Sequence, residues 1–261
     1  MSLIQDDDTG LVLIKPDWPD CPANVRAYSS TRIGGVSLSP YGDLDGDGGL
    51  NLGDHVGDDI DAVRMNRSCV SDLFPGSVTF LSQIHGTLAV DAVSLQGGMP
   101  VQADASFTNS PKIACAVLTA DCLPVLLAST DGLIVAAVHA GWRGLAAGVI
   151  EETVQQMRNK GAQEITAWLG PAIGSAAFEV GADVLDVFTQ KMPQLSDNFK
   201  ALDGGAKFLA DIYGLARTIL HSLAIVNVSG GDYCTFTQDE LFYSYRRDGV
   251  TGRMASWIWF E

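Results

Sequence analysis

The chain has 261 residues, 47% of them hydrophobic, and a formal net charge of −15. That field repels nucleic acid and anionic membrane surfaces, so neither is an expected partner. The length suits one large domain with a substantial core, and no Pro- or Ser-rich linker divides it.

In chain order, residues 11–14 and 25–29 read as short strands ahead of the Gly34-Gly35 turn. Residues 39–59 are rich in Asp and Gly and read as a loop. Asp58 or Asp59 is placed to cap a helix carrying Ile60, Val63, Arg67, Val70 and Leu73. Residues 78–84 and 88–93 read as strands joined at His85-Gly86-Thr87. The runs 113–118, 125–128 and 133–138 are apolar and β-prone, as strands buried on both faces are. A helix over 145–158 follows, then a strand over 165–169. Helices over 183–191 and 208–223 and strands over 225–228 and 255–260 complete the chain. Regular βαβ alternation is missing. The expected fold is therefore α/β (α+β): one domain spanning 1–261, with mixed sheets layered between flanking helices.

The longest apolar stretches break before the length of a membrane span. Residues 1–8 have neither a positive n-region nor a sustained apolar stretch, so the expected location is the cytoplasm. The five cysteines include no CxxC pair, and a disulfide framework is not expected at this size.

Three segments carry the chemistry: Ser82-Gln83-Ile84-His85-Gly86, Thr119-Ala120-Asp121-Cys122-Leu123-Pro124 and Val138-His139-Ala140-Gly141-Trp142-Arg143-Gly144. Each places His85, Cys122 or His139 where an apolar run gives way to Gly or Pro. Two imidazoles and a thiolate form a borderline-soft ligand set for zinc or copper. Their spacing matches no compact zinc-finger rule, and three unrelated buried side chains are the plain alternative.

Asp121 is a candidate to orient an imidazole N–H. Arg32, Arg143, Arg246 and Arg247 are candidate phosphate ligands, because guanidinium forks match phosphate oxygens. Arg143 is favoured among them by its place near His139. Cys122 and His139 also suit a nucleophile–base pair of an amide hydrolase. The chain holds four histidines, too few for a multicopper cluster, although His₂Cys with a distant Met suits a single copper.

The stretch from Ala136 to Val149 closely resembles the signature of the YfiH-like family, also called laccase-domain proteins. The resemblance covers nearly the whole chain. It includes Ser30-Thr31-Arg32-Ile33-Gly34-Gly35, Asn51-Leu52-Gly53-Asp54-His55-Val56-Gly57-Asp58, Leu169-Gly170-Pro171, Tyr245-Arg246-Arg247-Asp248-Gly249 and Thr251-Gly252-Arg253-Met254. It implies a mixed α/β layered fold and a zinc, or sometimes copper, site made by His85, Cys122 and His139. It also implies purine nucleoside phosphorolysis, including methylthioadenosine, and adenosine deamination, with polyphenol oxidation as a further attributed activity. Cys122, His139 and Arg143 are then the expected catalytic residues. Arg32, His55, Asp121, Arg246 and Arg247 are expected around a nucleoside and phosphate. A monomer is expected, and a non-catalytic metal-dependent binding protein is the alternative outside enzymes. Asp43-Leu44-Asp45-Gly46-Asp47-Gly48, with Asp54 beyond, echoes a calcium loop but lacks its flanking helices.

Overall fold

A computed structural model describes residues 2–5, 10–46, 48–73, 76–95, 101–202, 204 and 206–261. The strands β1 (Ser2–Gln5), β2 (Val12–Lys15), β3 (Val25–Ser30) and β4 (Ile33–Ser37) precede helix α1 (Ile60–Ser71). Then come β5 (Ser77–Thr79), β6 (Ala89–Asp91), β7 (Ala105–Thr108), β8 (Ile113–Thr119), β9 (Leu123–Ser129) and β10 (Val135–Ala140). Helices α2 (Trp142–Ala147) and α3 (Val149–Asn159) lead to β11 (Ile165–Leu169), β12 (Glu179–Gly181) and α4 (Ala182–Lys191). The chain continues through β13 (Phe199–Ala201), β14 (Lys207–Ala210), α5 (Ile212–Ser222) and β15 (Val228–Gly230). It closes with α6 (Tyr245–Asp248) and β16 (Met254–Phe260).

Two six-stranded mixed sheets form the frame, ordered β1-β2-β3-β16-β8-β5 and β15-β11-β9-β10-β7-β6. A small third sheet runs β12-β14-β13. Pairing is antiparallel except for β5–β8, β6–β7 and β11–β15. Alternate side chains on each strand serve alternate faces. Cys115 and Val117 of β8 pack against Leu126 and Ala128 of β9 and Val135 and Ala137 of β10, between the two sheets. Ala116 and Leu118 face outward with Trp257 and α1's Val70. Leu123, Val125 and Leu127 face the other way, onto Val154 of α3 and Leu215 of α5. The layers are thus helix, sheet, sheet, helix. Strands β9 and β10 are buried on both faces, which is why they carry unbroken apolar runs.

The mixed, layered α/β class agrees with the expectation from sequence, and several boundaries differ. The single helix expected over 145–158 is two helices, because Gly148 sits between them at φ 107. Residues 208–210, expected as the start of a helix, belong to strand β14. Asp211 then caps α5 by accepting from the Gly214 amide. The strand expected over 78–84 stops at Thr79, and Ser82 makes only an isolated bridge to Gln102. Helix α1 ends at Ser71, short of Leu73. Gly34 and Gly35, expected as a turn, lie inside strand β4, and strands β1, β7, β12 and β13 carry no alternation long enough to read. Among the described residues no helix is long and apolar enough to cross a membrane.

For function, the decisive connection is the turn from β8 to β9. There the chain leaves the first sheet and enters the second within residues 120–122.

Candidate active site

His85 lies in the turn between β5 and β6, Cys122 in the turn that crosses between sheets, and His139 near the end of β10. Their ligating atoms all lie within 4.8 Å of one another. Cys122 Sγ is 3.7 Å from His85 Nε2, and the two imidazole rings meet edge to face with centroids 4.8 Å apart.

Asp104, fully buried just ahead of β7, holds this arrangement. Its Oδ1 lies 2.9 Å from His139 Nδ1 and accepts the His85 amide at 2.8 Å. Its Oδ2 accepts the amides of Gly86 at 2.7 Å and Ile84 at 3.3 Å. The His139 amide donates to the Asp104 carbonyl at 2.7 Å. When Nδ1–H of a histidine donates to a carboxylate, Nε2 remains as the ligand atom.

Two non-glycine residues beside the cradle adopt left-handed backbone: His85 at φ 59 and Asp121 at φ 90. Such conformations cost on the order of 1–3 kcal/mol each and persist where neighbours fix them. The Asp104 carboxylate fixes the first. The second is fixed by the Asp121 carboxylate, which accepts Thr235 Oγ1 at 2.6 Å and the Arg246 amide at 2.7 Å.

Burial alone would raise the Cys122 thiol, but the charges and hydrogen bonds of His139 and His85 outweigh it and bring it down to about 6. Burial would likewise lower His139, yet the Cys122 thiolate and Asp104 carry it up to about 9. Burial also works against the Asp104 carboxylate. The His139 ring and the Gly86 and His85 amides nevertheless hold it below the usual carboxylate range. Both shifts favour the charged form of the metal-free pair, thiolate beside imidazolium.

The donor set fits a zinc or copper ion. The pairing of Ala140 with Leu123 brings Gly141 beside Cys122. A Cβ on Gly141 would lie 2.9 Å from both Cys122 Sγ and His85 Cδ2, so the cradle fills the space a side chain would need.

The cradle forms the floor of a cleft of about 540 Å³. Trp142, Phe178 and Tyr245 supply aromatic walls, and Arg143, Arg246 and Arg253 supply positive charge.

A family model described as "Multi-copper polyphenol oxidoreductase laccase" matches residues 26–261. Purine nucleoside phosphorylase YfiH of Shigella flexneri is 51% identical over 251 residues, covering 95% of this chain and 98% of that protein. The chain belongs to the YfiH-like family. Its namesake in Escherichia coli is 49% identical over 251 residues, with the same two shares, 95% and 98%. The crystal structure of Neisseria meningitidis protein NMB0706 superposes with a TM-score of 0.88 at 48% identity, covering 95% of this chain and 99% of that one.

Within this YfiH-like fold, the structure brings together His85, Cys122, His139, Asp121, His55, Arg143 and Arg246 around one cleft. Arg143 is exposed, with its guanidinium 4.4 Å from the Trp142 ring. Arg246 is exposed and donates Nη1 to the Glu179 carbonyl at 2.8 Å. His55 lies at the cleft mouth beside Asp54, and partial desolvation and the Arg253 charge lower its pKa.

Two expected anion ligands lie elsewhere. Arg32 is buried and donates to the carbonyls of Gly42 and Asp239 with its guanidinium over Tyr243. Arg247 donates to the carbonyls of Thr235, Phe236 and Phe242 and pairs with Asp248. Both hold loops together. Asp121 takes the hydroxyl and amide named above, and the carboxylate on an imidazole is Asp104's. In the acidic loop, Asp43 accepts the amides of Asp45 and Gly46, Asp54 pairs with Arg67, and Asp47 lies outside the described residues.

Sequence reasoning passed over Asp104, Arg253 and the three aromatic walls. An acidic residue heading the apolar run 105–108, and an arginine in the closing motif, were the available signals.

The structure predicts two outcomes for metal binding. Zinc must displace the proton held by the Cys122–His139 pair, so titration at pH 7.5 should release at least one proton per ion, and more as a zinc-bound water ionises, seen as a dependence of binding heat on buffer ionisation enthalpy. Affinity should climb as pH rises from 6 to 9, because fewer His139 protons then compete. Asp104→Asn should weaken zinc binding by roughly 10–100-fold, as loss of a ligand's supporting carboxylate does. Buffer-independent heats, or unchanged affinity in a folded Asp104→Asn protein, would contradict this picture of the site.

Proposed function

We propose that this chain is a zinc-dependent purine nucleoside phosphorylase. It takes adenosine, inosine or methylthioadenosine with phosphate to the free base and the corresponding ribose 1-phosphate. One observation carries the reading: three guanidiniums and three aromatic side chains surround the His–Cys–His cradle in one cleft, in a chain whose net charge is −15. The names of the near-full-length relatives support it.

Zinc held by His85, Cys122 and His139 would supply Lewis acidity and lower the pKa of a water to about 7. The chain's own residues do the rest. Trp142, Phe178 and Tyr245 offer flat apolar faces for a purine. Leu118, Ile173 and Ile212 line the same cleft and withdraw the ribose from water. Arginine forks hold the phosphate oxygens in line with C1′. A phosphate oxygen bonds to C1′ as the C1′–N9 bond breaks, and the base leaves with that bond's electron pair and takes up the proton that the monohydrogen phosphate gives up. Asp104 keeps the His139 ring fixed throughout.

In this reading the partners are a nucleoside and phosphate, and a single chain builds the whole cleft, so a monomer suffices. The four histidines of the chain do not provide the further imidazole cluster of a multicopper oxidase. A coordinated Cys122 thiolate is a poor free nucleophile, which disfavours the amide hydrolase.

The test is zinc-loaded protein with adenosine, with and without phosphate, followed by product analysis and an oxygen electrode. Adenine and ribose 1-phosphate should form only with phosphate present, and no oxygen should be consumed. Inosine formed without phosphate would replace phosphorolysis by deamination. Turnover confined to copper-loaded protein, with oxygen consumed in step, would overturn the proposal in favour of an oxidase.

A further inference from the structure

Arg253 differs from every other arginine at the cleft. It is half-buried, in the segment between α6 and β16. Its Nη1 donates to the carbonyls of Thr251 at 3.0 Å and Gly252 at 2.9 Å. Its main-chain amide donates to Asn51 Oδ1 at 2.9 Å. The Nε and Nη2 hydrogens meet no protein acceptor among the described residues, and no carboxylate pairs with the guanidinium there. The Tyr245 ring lies 5.9 Å away.

The competing arginines are either exposed or engaged. Arg143 is exposed against its neighbour Trp142. Arg246 is exposed, and one of its nitrogens is tied to Glu179. Arg32 and Arg247 face main-chain carbonyls.

The Cys122 thiolate and the Asp121 carboxylate act on this guanidinium through space without pairing with it, and a guanidinium withdrawn from water without a directly paired anion is costly. Two carbonyls on Nη1 fix the plane of the Arg253 guanidinium in advance. The edge left open carries Nε–H and Nη2–H side by side, which is the two-pronged edge that matches two oxygens of a tetrahedral oxyanion. Pinning one edge and presenting the other lowers the ordering cost when the anion arrives.

We propose that Arg253 is the principal phosphate ligand of the cleft, ahead of Arg143 and Arg246. This assigns the co-substrate subsite of the phosphorylase reading and rests on that reading for the identity of the anion. The proposed contact is the Nε/Nη2 edge on two phosphate oxygens, with Tyr245 and Asn51 holding the side chain and main chain in place.

The test measures binding of inorganic phosphate to the zinc-loaded protein directly, by calorimetry, alongside kinetics. The proteins are wild type, Arg253→Gln, Arg253→Lys and the control Arg64→Gln. Arg64 lies exposed on α1, paired with Asp61, outside the cleft lining. Arg253→Gln should lose roughly tenfold or more in phosphate affinity, and its phosphate KM should rise in step, because the charged fork is gone. Its zinc content and nucleoside KM should stay at the wild-type values. Arg253→Lys keeps the charge without the fork and should fall between, while Arg64→Gln should match wild type.

Unchanged phosphate affinity in folded Arg253→Gln overturns the proposal, whatever the enzyme's activity. Should that variant not fold, unchanged affinity in Arg253→Lys overturns it equally. Phosphate binding that depends on Arg253 in a protein without nucleoside turnover supports the anion site and rejects the phosphorylase reading alone.

Discussion

The buried carboxylate of Asp104 is the constraint on which the site depends. It joins the edge of β7 to two of the three cradle residues, the ring of His139 and the backbone of His85. An isolated buried carboxylate would cost several kcal/mol. Here three amides and an imidazole meet it, and those same contacts hold His85 in a left-handed backbone that a turn would not keep unaided. One group thus holds the buried His139 ring by Nδ1, leaving Nε2 for the cradle, and fixes the position of His85, while the crossing turn sets Cys122 independently.

The cleft belongs to the seam between the two large sheets. The second sheet delivers His139 at the end of β10, and α2 follows with Trp142 and Arg143. From the first sheet's side, the segment ahead of β16 delivers Tyr245, Arg246 and Arg253. Cys122 stands at the point where the chain passes from one sheet to the other. Both sheets are packed on two faces, so their ends are rigid, and rigid supports give a more precise site than loops alone. The arginines gather there in a chain that is strongly acidic elsewhere. In the phosphorylase reading, that local positive charge is what suits the cleft to a small anion, although the chain as a whole repels polyanions.

What the sequence made legible follows from what local pattern encodes. The strands β8, β9 and β10 were readable because burial on both faces leaves long apolar runs. His85, Cys122 and His139 were readable because each interrupts such a run. Asp104 was not, since a single acid before an apolar strand looks the same whether it meets solvent or an imidazole. Nor could sequence separate Arg253 from Arg32 and Arg247, because only the fold brings carbonyls such as those of Gly42, Asp239 and Thr235 onto the latter two. Residues 208–210 continued a helical apolar pattern into α5, and only their pairing with β12 and β13 makes them strand.

X-ray absorption at the zinc edge of the metal-loaded protein tests the central claim most directly. The account predicts a four-coordinate ion with one sulfur at about 2.3 Å and two imidazole nitrogens at about 2.0–2.1 Å, the remaining position being a lighter exchangeable ligand. A shell without sulfur, or one without imidazole scattering, would contradict it.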